Sequence, residues 1–240
     1  MPTRQNSVRV VPHPGAITIA SVRGVLDQDT YPQIRDGLLK IAAESSDGLL
    51  ADVEQLEIPD AELAGVFRLV ALRVRDWPAI PFALVTARPE QRAMLGRRVP
   101  VHPDVPSAEA ALTRPARRRV GRLFARSPRT SARARGFVRG TCAEWMVPEL
   151  AEDAELVATE LVENALRHTD SVPRLRLDLR RGRLTVEVAD ESARPAVLRE
   201  GLDLLETGLG LRMVTKVAKR WGSSRSWSGG KTVWAVLGRA

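Results

Sequence analysis

Cysteine occurs once in this 240-residue chain, at Cys142, which excludes an intrachain disulfide and a thiolate metal cluster. Histidine is nearly as scarce, and His13, His102 and His168 show no metal-ligand spacing. No Gly-x-x-x-x-Gly-Lys-Ser/Thr sequence is present, which removes a P-loop nucleotide site. No apolar run approaches the roughly 18 residues of a membrane span, and the N-terminus lacks a signal-peptide core. The expectation is therefore a cytoplasmic protein without a membrane partner. Aromatic residues amount to only 4% of the chain, and none alternate with its basic residues as a single-strand nucleic-acid platform requires.

Acid is missing from one long stretch. Between Glu109 and Glu144 there is no Asp or Glu, while Arg114, Arg117, Arg118, Arg119, Arg122, Arg126, Arg129, Arg133, Arg135 and Arg139 fall inside it. Lysine is confined to Lys40, Lys216, Lys219 and Lys231, so arginine carries nearly all of the formal charge of +8. The favoured reading of the run is a solvated linker followed by the exposed face of a helix. A nucleic-acid patch is disfavoured, and an acidic protein partner stays open.

A hydrophobic fraction of 44% is ordinary for globular protein. The length suits two domains of about 100–120 residues each. In the first half, Val8–Val11 and Ala16–Val22 read as strands, with His13-Pro14-Gly15 as the turn between them. Helical spacing over Tyr31–Ala43 leads to a short buried strand at Gly48–Val53. A second helical run covers Asp60–Val74, followed by a strand at Phe82–Thr86. A helix near Glu90–Leu95, a strand at Val99–Val101 and a helix near Ser107–Leu112 complete a small α/β unit. The expected organisation is a first domain over 1–112, a basic linker over 113–119 and a second domain over 120–240.

The second half is expected to open with a strand near Val120–Phe124 and a helix from Thr130 to Trp145, with Pro148 before the next helix. That next helix has the clearest periodicity of the chain. Ala158, Leu161, Val162, Ala165 and Leu166 form one stripe, and Glu160 and Asn164 project from a common face one turn apart. A carboxylate and a carboxamide so placed can serve as a proton acceptor and a magnesium ligand. Downstream, the alternating strand Leu184–Asp190 ends on an acid. Gly208 and Gly210 then open an amphipathic helix starting near Leu211, and the chain closes with a hairpin over Ser226–Val236.

These four segments, in this order, resemble the N, G1, G2 and G3 boxes of the Bergerat-fold (GHKL) ATP-binding superfamily. Within it the nearest resemblance is to anti-sigma-factor serine/threonine kinases of the actinobacterial type. The resemblance spans Gly121 to Leu237. It implies that Mg-ATP is bound, that Asn164 contributes a magnesium ligand and that Glu160 acts as general base. It further implies that Asp190 reads the adenine amine, that Gly208 and Gly210 let the backbone approach the phosphates, and that Thr232 lies near the adenine. Arg167 is implied to face either the phosphates or solvent, His168 to be an N-box structural or phosphate-proximal residue, and the segment from Pro195 to Gly208 is expected to form a short lid. The glycine usual after the G1 acid is absent, since the chain reads Glu191-Ser192-Ala193-Arg194-Pro195, as in the actinobacterial variant of the box. No dimerisation helix bears a phosphoacceptor histidine, which argues against an autophosphorylating sensor kinase.

The first half resembles a STAS domain, the fold of anti-sigma-factor antagonists, at Val25-Leu26-Asp27, Leu50–Leu56 and Val101–Asp104. It departs where phosphorylated members carry Asp-Ser-Ser-Gly, for here Asp60-Ala61-Glu62-Leu63 lacks the acceptor hydroxyl at Ala61. Glu62 would imitate phosphoserine only crudely, with one negative charge against nearly two. The resemblances together imply an α/β two-domain chain, STAS-like then Bergerat, the latter a mixed sheet with helices on one face. They imply a kinase acting on a STAS-domain antagonist. The alternative is a non-catalytic nucleotide-dependent protein that sequesters a sigma factor, with the STAS-like domain as its regulatory module. A homodimer through the Bergerat domain is a further implied partner.

Overall fold

A computed structural model describes residues 8–15, 17–45, 47–112, 116–191, 209–227 and 229–238. The chain forms two compact units, Met1–Arg114 and Pro115–Ala240. Among the described residues no helix is long and apolar enough to cross a membrane.

The first unit contains strands β1 (Arg9–His13), β2 (Thr18–Val25), β3 (Leu49–Asp52), β4 (Leu56–Glu57), β5 (Phe82–Val85) and β6 (Val101–His102). Its helices are α1 (Tyr31–Glu44), α2 (Gly65–Asp76), α3 (Pro89–Leu95) and α4 (Val105–Ala111). The sheet runs β1-β2-β3-β5-β6 with β4 beside β2, and among the described residues only the β1–β2 pair is antiparallel. Parallel central strands must be covered on both faces, which explains why all four residues of β5 are buried. Leu49, Ala51 and Leu84 pack with Ile34, Leu38, Phe67 and Val70 of α1 and α2. Leu50, Ala83 and Val85 turn the other way, onto Ala108 of α4. The helical run expected from Asp60 begins instead at Gly65. Asp60 Oδ1 accepts the Glu62 amide at 2.8 Å, and this side-chain turn competes with helix over Ala61–Ala64. Ala61 and Glu62 are both exposed.

In the second unit, β7 (Arg117–Leu123), α5 (Thr130–Glu144), α6 (Ala151–His168), β8 (Arg174–Arg180), β9 (Arg183–Asp190), α7 (Leu209–Val217), β10 (Arg220–Arg225) and β11 (Lys231–Leu237) follow in order. The sheet order is β10-β11-β9-β8-β7. The expected mixed sheet is corrected here, because every pairing among the described residues is antiparallel. Two tight hairpins force that sense on four of the strands. Between β8 and β9 only Arg181 and Gly182 intervene, both at positive φ (49° and 70°), the two-residue turn that suits twisted strands. One face of the sheet carries Leu175, Leu177, Val186, Val188, Val233 and Ala235 into a single core with α5, α6 and α7. Cys142 lies in that core, where burial pushes its thiol up to about 11 and leaves it unreactive.

The acid-free run also departs from expectation. Arg117–Arg119 belong to β7 rather than to a linker, because Arg117 and Arg119 both reach the buried Asp178 on β8. Arg118 donates to Trp145 O at 3.4 Å, Arg122 stacks 5.0 Å over Phe137, and Arg139 makes a two-point bridge from α5 to Glu155 on α6. Arg117 and Arg119 are therefore internal scaffolding, whereas Arg133 and Arg139 of α5 lie exposed, as expected of that helix face. Asp178→Ala strands two partly buried guanidinium groups, and a loss of about 3–5 kcal/mol is expected from the denaturant midpoint.

Candidate functional site

The site grows from α6. Its stripe of Ala158, Leu161, Val162 and Ala165 is buried against the sheet, and this burial places the flanking Glu160 and Asn164 half-buried at the edge of the core. Burial pushes the Glu160 carboxyl above the usual range, Glu163 pushes it further and Arg167 opposes both. Asn164 Nδ2 is buried and has no hydrogen-bond partner among the described residues. An orphaned buried amide costs about 1–3 kcal/mol, so the fold alone gives no reason for a carboxamide there. Arg167 and His168 end the helix exposed to solvent.

The last turn of α6 is fastened at two points. Arg126 caps it, Nη1 donating to Thr169 O at 2.5 Å and Nη2 to Leu166 O at 2.8 Å. Thr169 Oγ1 donates to Ala165 O at 3.1 Å, and Ser171 Oγ, 2.8 Å from Thr169 Oγ1, accepts the Glu191 amide at 3.1 Å. This relay ties the end of the Asn164 helix to the residue after Asp190. Sequence reasoning missed Arg126, Thr169 and Ser171. The Ser/Thr pair after a helix end was a usable signal, whereas the capping role of Arg126 leaves no local trace.

Asp190 closes β9 on the face shared with Val186 and Val188, its side chain 1% exposed. Its partner on β11 is Lys231, not Thr232. Lys231 Nζ stands 3.1 Å from Asp190 Oδ2, with the lysine side chain 2% exposed. Thr232 pairs with Ala189, so strand alternation sends it to the opposite face, away from the Asp190 carboxylate. Gly230 enforces the register, since its φ is +77° and a Cβ there would lie 2.2 Å from Asp190 O.

Gly210 lies in the first turn of α7, which starts at Leu209 rather than near Leu211. The first amides of any helix lack intrahelical partners, so this turn presents donors suited to an anion. Gly208 and the segment expected as a lid fall outside the described residues. The donor set fits Mg-ATP. Asn164 offers a hard oxygen with its amide nitrogen unsatisfied, Glu160 a carboxylate one turn away, and Asp190 an acceptor for a base amine.

Residues 107–237 match the family model of the histidine kinase-like ATPase domain. The N-terminal region is similar to two solved structures. One is an anti-sigma factor antagonist from Mycobacterium paratuberculosis, at 20% identity and a TM-score of 0.35 over 44% of this chain and 94% of that one. The other is the anti-sigma factor antagonist SpoIIAA in its unphosphorylated form, at 16% identity and a TM-score of 0.34 over 43% and 95%. Comparison with curated proteins gives no match.

Proposed function

Because the chain belongs to the histidine kinase-like ATPase domain family, we propose that it binds Mg-ATP and phosphorylates a serine or threonine of a STAS-domain anti-sigma antagonist. The observation that carries this reading is the pairing of Glu160 with Asn164 on the half-buried edge of α6, with the Asn164 amide unsatisfied. Bound magnesium would supply charge neutralisation at the phosphates, the main demand of phosphoryl transfer. Asn164 would hold it. Glu160 would orient the acceptor hydroxyl and take its proton. A carboxylate raised above its ordinary pKa is the stronger base for that step. The first amides of α7 would face the phosphate chain, and Arg167 would lie at its edge.

The second reading keeps nucleotide binding without transfer, the chain sequestering a sigma factor under control of its N-terminal module. Ala61 favours it, because the exposed turn before α2 has no hydroxyl for phosphorylation to act on. Calorimetric titration with ATP, with and without magnesium, tests the shared premise, and phosphate transfer from labelled ATP to STAS-domain proteins separates the two readings.

Glu160→Gln is the variant that isolates the chemistry. Transfer is expected to fall by about 100-fold or more, the scale of lost general-base catalysis, with ATP affinity nearly unchanged. The stability effect has the opposite sign. A carboxyl raised by burial binds its proton more tightly when folded, so its penalty is absent at low pH and sets in as pH rises through the raised value. The glutamine variant is therefore expected to melt at or above wild type at neutral pH. The wild-type pH–rate profile is expected to show an acidic limb above the ordinary glutamate range, and that limb should vanish in the variant.

A further inference from the structure

Lys231 is the least expected residue of the site. Lysine is almost never fully buried unless paired, and the β9–β11 ladder needs no charge at this rung because its backbone bonds hold it. A buried ion pair is also no better for stability than a well-packed apolar pair of similar volume. Asp190 and Lys231 nonetheless meet 3.1 Å apart on the helix-covered face, at the end of β9. Gly230, tolerating both its φ of +77° and its approach to Asp190 O, holds Lys231 in this register.

We propose that Lys231 is a second base-reading residue, so that adenine is recognised by an Asp190–Lys231 dyad rather than by a lone carboxylate. This rests on the nucleotide reading above. The Watson–Crick edge of adenine presents a donor, the N6 amine, beside an acceptor, N1. A carboxylate can accept about four hydrogen bonds, and the Lys231 ammonium, 3.1 Å from Asp190 Oδ2, carries three donors. The dyad therefore offers an acceptor and a donor side by side, complementary to N6 and N1 in that order. Guanine inverts the two positions, placing an acceptor at position 6 and a donor at position 1. The lysine also neutralises Asp190, so a neutral base does not have to replace the hydration of an isolated buried anion.

The test is made on the full chain with nucleotide analogues. Affinities of ATP and of 1-deaza-ATP, in which N1 is replaced by C–H, are measured by calorimetry for wild type and for Lys231→Met. Wild type is expected to prefer ATP by roughly 10–100-fold, the worth of one hydrogen bond to a charged group. In the variant the two affinities should converge. Equal wild-type affinities, or a ratio unchanged in Lys231→Met, overturn the role of Lys231 while ATP binding stands. Failure of wild type to bind either nucleotide overturns the nucleotide reading and this inference with it. Should Lys231→Met not fold, Lys231→Arg keeps the cation but moves its donors, and the same narrowing of the ratio is required of it.

Discussion

Asn164→Ala is expected to remove magnesium-dependent ATP binding while leaving the empty protein as stable as wild type or slightly more so. Both halves follow from one atom. Asn164 Nδ2 is buried without a partner among the described residues, so the side chain costs the fold about 1–3 kcal/mol that alanine, the best helix former, would recover. A core or capping asparagine behaves in the opposite way, and its loss lowers the melting temperature. The affinity loss should exceed the roughly 10–100-fold typical of outer-shell metal partners, because the metal's only proposed protein ligand is removed. Melting curves with and without Mg-ATP read both effects together. Wild type should gain stability with nucleotide by mass action, and the variant should gain none. A variant that melts well below wild type without nucleotide would mark Asn164 as structural.

The same contrast explains what could be read from the chain alone. The α6 stripe is local, and its period and the Glu160–Asn164 spacing survive without any knowledge of the fold. Strand β8 carries an equally regular alternation of Leu175, Leu177 and Leu179 with Arg174, Arg176, Asp178 and Arg180, yet its charges hide it. Its outward charges look like loop until their partners are known, and Arg117 and Arg119 lie 61 and 59 residues upstream of Asp178. The turn that follows has Gly182 in its second position but Arg181 at positive φ in its first, where asparagine, aspartate or glycine marks a hairpin. Arg117–Arg119 read as linker for the same reason, since the carboxylate that pairs with Arg117 and Arg119, Asp178, sits on β8. Choosing between Lys231 and Thr232 is harder still. Adjacent strand residues face opposite sides, so only the register against β9 decides which of them joins Asp190.

That register depends on one glycine, and Gly230→Ala is expected to cost the second unit heavily. A left-handed conformation costs a non-glycine residue about 1–2 kcal/mol. At Gly230 a clash adds to it, because the new Cβ would lie 2.2 Å from Asp190 O and 3.0 Å from Glu191 Cα. Both contacts are backbone and cannot swing aside, so the end of β9 must part from β11, at about 1–3 kcal/mol more. The sum is about 2–5 kcal/mol, with the Asp190–Lys231 rung displaced as well. Gly229 supplies the internal control. Its φ is +102°, but nothing lies within 4 Å of its would-be Cβ, so Gly229→Ala carries the conformational cost alone. Denaturant unfolding followed by tryptophan emission suits the comparison, as Trp145, Trp221, Trp227 and Trp234 all belong to the second unit. Gly230→Ala should unfold at clearly lower denaturant than Gly229→Ala and lose ATP affinity, while Gly229→Ala keeps it. Equal losses of stability would place the whole penalty in the dihedral angle and leave the close approach to Asp190 without energetic weight.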